Sequence, residues 1–226
     1  MKASTDATLT GKAYREIEER IVTLKLLPGE VLSESMLVDA LGIGRTPIRE
    51  ALQQLAREGL VIILPRRGVV VSELDVRRQL ELLKVRRELE RLIVTLAAER
   101  ATAAERDRFL AIAEGMREAA DSSDDVAFMR LDREFNLFVS DVSRNEFAQR
   151  AISMTHGLSR RFWYVHYKQV LDLPLCATLH AKLADAIASG ECQESAQASD
   201  RLVDYIEEFT RASLDAPMLP SRAPRM

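Results

Sequence analysis

Aromatic residues make up only 5% of this 226-residue chain, which has just two cysteines and three histidines. Cys176 and Cys192 stand far apart and form no CxxC, so a disulfide framework or a four-thiolate zinc site is not expected and both read as free thiols. No run of about 18 apolar residues occurs and the N-terminus has no signal-peptide architecture, so neither a membrane span nor export is expected and the chain reads as cytoplasmic. Neither sign of charge dominates: the formal net charge is −3, with ten basic against nine acidic residues over 1–72 and 22 against 26 over 73–226. Net charge therefore offers no argument for nucleic acid, and any such argument must rest on where the arginines sit. What is abundant is Ala, Leu, Glu and Arg, a helix-forming set, and 47% hydrophobic content suffices for two compact domains.

The densest pattern runs from Ser33 to Ser72. Leu37, Ala40 and Leu41 line one face of a short helix that Gly42 stops. A second helix is expected to begin at Thr46, whose hydroxyl suits a cap, with Pro47 at the first helical position; Ile48, Ala51, Leu52 and Leu55 then recur at helical spacing until Gly59. Leu60 to Leu64 and Val69 to Ser72 are β-type runs joined by Pro65-Arg66-Arg67-Gly68, so a hairpin follows a helix-turn-helix. Arg45 and Arg49 lie four apart at the start of the second helix, where such a motif reads base edges or phosphates, and Arg66 and Arg67 at the hairpin tip suit a minor groove. Any one of these arginines is ordinarily a solvated surface charge; four on the two elements a winged helix presents to DNA favour groove contact.

GIGRTPIREALQQLAREGLV followed by PRRGVVV resembles the winged-helix domain of the GntR family of bacterial transcription regulators, and AYREIEERIVTLKLLPGEVLSE resembles its first helix and Pro28-Gly29 turn. The resemblance covers Leu9 to Ser72. It implies DNA contacts by Arg45, Thr46, Arg49, Arg66, Arg67 and Gly68. Some family members carry a further arginine at the start of the preceding helix, where this chain has Ser35.

After Ser72 the pattern becomes helical throughout. Leu80, Leu83, Arg87 and Glu90 mark one helix, Thr102 to Glu105 is a capping box opening the next, and Phe128, Leu131, Phe135, Phe138 and Val142 form the stripe of a third. Asn145 is placed to cap a fourth helix reaching toward Leu171; Leu179, Leu183 and Ile187 define a fifth, ended by Ser189-Gly190, and Ala198, Leu202, Ile206 and Phe209 a sixth. The fold expected is mainly α: a winged helix-turn-helix with a small β-hairpin wing over 9–72, then an all-α six-helix bundle over 73–214. Residues 1–8 read as a disordered N-terminus and 215–226 as a flexible tail. Six helices in this order, with VRRELE, LDREFN and LHAKLADAI, resemble the FadR-type branch, whose helical FCD domain binds a small effector.

That resemblance implies a pocket and, in many members, a divalent metal held by an Asp, a His four residues on, and two later histidines. Here Asp132 and His180 match, Asn136 stands in place of the first histidine and Leu202 in place of the last. Two readings stay open. In one the pocket is metal-free, and Asp132, Asn136, His180 and Arg86 bind the effector directly, Arg86 pairing with a carboxylate. In the other a weak, oxygen-rich divalent site survives around Asp132 and His180. Against both stands the reading that Asp132 is a surface ion-pair partner and His180 a satisfied packing residue; His156 and His166 match nothing and read as packing. Arg160, Arg161, Trp163, Tyr164 and Tyr167 read as a helix-packing or dimer face, or as a pocket wall.

The expected function is a DNA-binding regulator, a repressor working as a homodimer on palindromic operator DNA and responding to a small organic acid. The rivals are a constitutive DNA-binding dimer whose helical domain only dimerises, and a metal-assisted enzyme using Asp132 and His180. No nucleophile elbow, phosphate loop or full metal triad supports the enzyme, and Arg45, Arg49, Arg66 and Arg67 would have no use in it.

Overall fold

The computed structural model describes residues 8–65, 68–170 and 173–212. The element order is α1 (Leu9–Val22), β1 (Val31–Leu32), α2 (Glu34–Leu41), α3 (Arg45–Arg57), β2 (Val61–Leu64) and β3 (Gly68–Val71), followed by α4 (Val76–Arg100), α5 (Ala103–Asp121), α6 (Asp125–Val142), α7 (Glu146–Val170), α8 (Leu173–Ser189) and α9 (Cys192–Ala212). Six helices thus follow the wing, as expected. The strands form an antiparallel sheet in the order β1-β3-β2, with Val31 opposite Val70 and Ile62 opposite the same residue. The two-residue strand β1 was not expected; it is too short to show a period.

Local chemistry sets the helix ends. Ser33 accepts a hydrogen bond from the Met36 N–H to open α2, and Gly42, at φ +64°, closes it in the left-handed conformation that glycine adopts without a Cβ clash. The cap expected at Thr46 is displaced: α3 begins two residues earlier, with Gly44 as its N-cap and no side-chain cap. Pro47 therefore sits third in the helix, where its missing N–H still costs no intrahelical bond. The Thr102–Glu105 capping box is present, and Asn145 accepts from the Ala148 N–H at 3.1 Å to cap α7. Pro174 stands in the first turn of α8 for the same reason as Pro47 in α3.

Two hydrophobic cores result. The first joins Ala13, Ile17 and Ile21 of α1 to Leu37, Ile48, Ala51, Leu52 and Leu55 and to Leu60, Val61 and Val71 of the sheet. Each fully buried Leu or Ile contributes about 1.5–3 kcal/mol. Ala40 is exposed; Val38 and Leu41 pack beside Leu37 instead. The second core is built from α4–α9 with Val22 from the end of α1, and is rich in alanine on α8, with Phe109, Phe128, Phe135 and Trp163 as its large members. Leu131 and Phe138, expected in that core, are only partly buried, whereas Met129 and Val139 of α6 are buried.

Helix α7 joins the cores. A Cβ on Gly157 would come within 2.7 Å of the Leu60 side chain, so glycine is needed for Leu60 to lie against the helix. The buried Arg161 guanidinium bonds the hydroxyl and the carbonyl of Ser72, where the wing meets α4. Arg160, one residue earlier, reaches Glu18 of α1 at 2.5 Å, and Arg133 of α6 bonds the other oxygen of Glu18 at 3.1 Å.

Candidate nucleic-acid interface and ligand pocket

Arg45, Thr46 and Arg49 occupy the first turn and a half of α3 and are exposed. Their placement follows from the burial of Ile48, Ala51, Leu52 and Leu55, which turns the opposite helix face outward. With no side chain capping Gly44, the N–H groups at the start of α3 are free for a phosphate. Arg49 is already engaged: its Nε and terminal nitrogen each lie 2.8 Å from one oxygen of Glu34, at the start of α2. This contact lowers the Glu34 pKa below the usual carboxylate range and holds the Arg49 fork across the helix-turn-helix. Gly68, at φ +91°, closes the wing turn, and a Cβ there would meet the Leu32 carbonyl oxygen at 3.0 Å. Arg66 and Arg67, expected at the wing tip, lie outside the described residues.

The pocket residues named from the sequence come together. Asp132 Oδ1 lies 3.2 Å from His180 Nε2 and accepts a hydrogen bond from the Asn136 side-chain amide at 2.9 Å. Asp132 Oδ2 faces Arg160 Nε at 2.9 Å, an ion pair without hydrogen-bond alignment. His180 Nδ1 is 2.8 Å from the Cys176 carbonyl oxygen, so both ring nitrogens face acceptors. Burial opposes charge on His180, but Cys176 and the Asp132 carboxylate raise its pKa well above the ordinary histidine value; the physical donor-only partner for these acceptors is the imidazolium. Burial likewise works against the Asp132 carboxylate, yet His180 and Arg160 bring it down to about 2. Asp132 is thus neither a surface residue nor part of a surface ion pair. Arg86 is buried in the same place, but Nε, at 2.7 Å, and a terminal nitrogen already bind one oxygen of Glu90.

Two small cavities share Arg86, Asn136, His156 and His180 as walls, one of about 20 Å³ bounded also by Leu202, the other of about 30 Å³ bounded by Asp132, Arg160, Trp163 and Cys176. Each has room for about one or two waters. His156, read as packing, belongs to both; burial and the nearby Arg86 push its pKa down to about 3, so it is a neutral imidazole at pH 7. His166 stacks on Phe162 and bonds its carbonyl oxygen at 2.8 Å, a packing role.

Residues 81–205, more than half of the chain, match the FCD domain, and residues 9–71 match the bacterial regulatory proteins of the gntR family. The chain belongs to the GntR family, in its FCD branch. This GntR protein is 45% identical over 65 residues to an HTH-type transcriptional regulator from an unstable DNA locus of Streptomyces ambofaciens, a match spanning 29% of this chain and 28% of that protein. It is 27% identical over 164 residues to the HTH-type transcriptional regulator YdhC of Bacillus subtilis, covering 70% of this chain and 69% of that one. The solved structure of Escherichia coli McbR/YncC shares its fold, with a TM-score of 0.79 at 20% identity over 92% of this chain and 99% of that one. The GntR protein is a DNA-binding transcription regulator, and its family and relatives are regulators, not enzymes.

The metal implied by the branch does not fit the residues of this regulator. His180 turns each ring nitrogen to an oxygen acceptor, Asn136 turns its amide N–H to Asp132, Leu202 has no donor atom, and the Asp132 carboxylate is already met by His180, Asn136 and Arg160. Among the described residues no group of three His, Cys, Asp or Glu is arranged to hold an ion. Sequence reasoning missed two members of this network in assigned roles, Arg160 and Glu18, which are 142 positions apart. The signal that was available is the occurrence of two arginines in a helix whose neighbours, Phe162, Trp163 and Tyr164, are all buried.

Proposed function

We propose that this GntR-FCD regulator is a homodimeric repressor whose operator affinity is changed by a small carboxylate bound within its helical bundle. Residues 9–72 are the DNA-reading domain and 73–214 the effector-binding and dimerisation domain, acting in the cytoplasm. Arg45 and Arg49 contact base edges or phosphates, Thr46 and the open start of α3 a phosphate, and Arg66, Arg67 and Gly68 the wing contacts. Two copies on a two-fold axis read the half-sites of a palindrome. The observation that carries this reading is the exposed start of α3, with Arg45 and Arg49 one turn apart above a fully buried Ile48-Leu52-Leu55 face.

For the effector, the support is a polar cluster that packing alone does not require: buried Arg86, Asp132 and His180 with half-buried Asn136, around a cavity in the helical core. A carboxylate would take the Arg86 and His180 donors in place of Glu90 or Asp132. Coupling to DNA must be reciprocal, so effector affinity changes on operator binding by the same factor. The small size of the cavities favours a second reading, in which the helical domain only dimerises and the DNA affinity is constitutive.

The test begins with selection of a binding duplex from a random pool. On that duplex, Arg49→Ala is expected to weaken binding by about 10- to 100-fold, and a panel of small carboxylates to include one that shifts both operator affinity and melting temperature. Unchanged binding by the Arg49 variant sinks the groove contact. A panel that shifts neither quantity sinks the effector and leaves the constitutive dimer.

A further inference from the structure

Between the two cores lies an open cleft of about 410 Å³, walled on the α1 and α3 side by Tyr14, Glu18 and Glu58 and on the bundle side by Asn136, His156 and Arg160. The same three bundle residues are walls of the 30 Å³ cavity that contains Cys176 and Trp163. A partition one side chain thick therefore separates the cleft from the cavity. Its three members are held very differently. Asn136 has one hydrogen bond, to Asp132, and His156 has none among the described residues. Arg160 is fixed at three points: Glu18 at 2.5 Å, the Met129 carbonyl oxygen at 2.7 Å and Asp132 at 2.9 Å.

We infer that the bundle cavity is reached from the cleft beneath the winged helix, through the partition of Asn136, His156 and Arg160, and that Glu18 of α1 bolts that partition shut through Arg160. A neutral ring without a hydrogen bond turns aside at little cost. Arg160 cannot move without releasing Glu18, which is 3% exposed and stands on α1. A guest that needs Arg160 as well as His156 to move thus breaks a contact between the DNA-reading helices and the bundle. Glu18 is not stranded when this happens, since Arg133 still holds its other oxygen at 3.1 Å. The bolt is a positioning contact, and its regulatory meaning rests on the effector reading given above.

Cys176, 2% exposed on the far side of the partition, is a built-in reporter of its opening. In a Cys192→Ser background, the rate of Cys176 alkylation by iodoacetamide is followed by intact-protein mass spectrometry, for the parent, Glu18→Gln and His156→Ala. The expected result is slow labelling in the parent, about tenfold or faster acceleration in Glu18→Gln and a smaller acceleration in His156→Ala, all nearly flat in low urea as befits local opening. Parent rates in both variants overturn the inference. So does an acceleration that climbs with urea in step with global unfolding, because the variants would then only be less stable. Labelling reads the path and not the ligand: a partition that opens in this way in a protein whose melting no small carboxylate shifts would refute the effector and leave the bolt standing.

Discussion

Replacing Asp132 by Asn keeps the shape of the side chain and removes the one anion between two buried cations. The His180 and Arg160 partners are 6% and 7% exposed, so solvent cannot replace the lost charge. Breaking a buried ion pair by removing one partner costs about 3–5 kcal/mol, much of it the cost of the charge left behind. Set against total stabilities of about 5–15 kcal/mol, that is a large fraction. Urea unfolding followed by the fluorescence of Trp163, the sole tryptophan and itself a wall of the cavity, measures the loss where it arises. With a urea dependence of about 2–3 kcal/mol per molar, the midpoint falls by roughly 1–2 M. His180 supplies a second readout. Its raised folded pKa contributes stability that is complete below the unfolded value of 6.5 and is lost as pH rises through the folded value, so the parent loses stability on the alkaline side. In Asp132→Asn that alkaline loss shrinks, because the carboxylate that helped raise the pKa is gone. A double variant with Arg160→Met should lose less than the sum of the singles, since either single change already breaks the ion pair the two residues share. A midpoint shift below about 0.5 M with an unchanged alkaline slope would show that Asp132 carries no buried charge balance.

The neutral His156 sets an opposite slope on the acid side: its pKa, lowered from 6.5 to about 3, gives stability present above 6.5 and lost as pH falls toward 3. Partial exposure tempers the effect, so the loss at pH 5 is about 1–2 kcal/mol, and His156→Gln should flatten it; an equal slope in the variant refutes the assignment. Gly68→Ala places a Cβ at φ +91° and 3.0 Å from the Leu32 oxygen, at a cost of about 1–3 kcal/mol confined to the wing. Amide exchange of β3 should quicken while the unfolding seen by Trp163 stays unchanged; a shift in both would mean that the wing and bundle unfold as one. Glu34→Gln frees Arg49 from its bidentate partner and removes a carboxylate facing the same groove, so DNA affinity should rise by about two- to fivefold, read by fluorescence anisotropy on the selected duplex; a fall would mean that Glu34 positions Arg49 rather than competing with DNA.

The elements that showed clearly in the sequence are those whose period exceeds their noise. The face of α3 was legible because Ile48, Ala51, Leu52 and Leu55 keep helical spacing and all are buried, and α9 likewise through Ala198, Leu202, Ile206 and Phe209. Thr46 misled because a cap hydroxyl before a proline is a strong local signal, yet Gly44 supplies the extended backbone that starts the helix two residues sooner. The pocket was legible in part, and only through resemblance: Asp132, Asn136 and His180 meet as implied, while the Arg86–Glu90 pair, four apart on one helix and so open to a reading from spacing, went unread because Arg86 was assigned to a ligand. The Arg160–Glu18 contact was hidden for a different reason. Nothing local relates α1 to α7, and which arginine of an adjacent pair faces which core is decided by the 100° turn between neighbouring helix positions, after the helix has docked.

Cavities with room for one or two waters also set the kinetics and apparent strength of whatever binds there. A molecule of several heavy atoms can occupy the bundle only in the fraction of molecules whose interior has already expanded, and its measured affinity is its intrinsic affinity multiplied by that fraction. At 1% expanded, a ligand of intrinsic micromolar affinity registers at about a tenth of a millimolar. Its observed association rate would level off at high concentration, at the speed with which the helices part. Screens read after minutes at low ligand concentration would score such a protein as unresponsive, while the same compounds at high concentration and long incubation would move it.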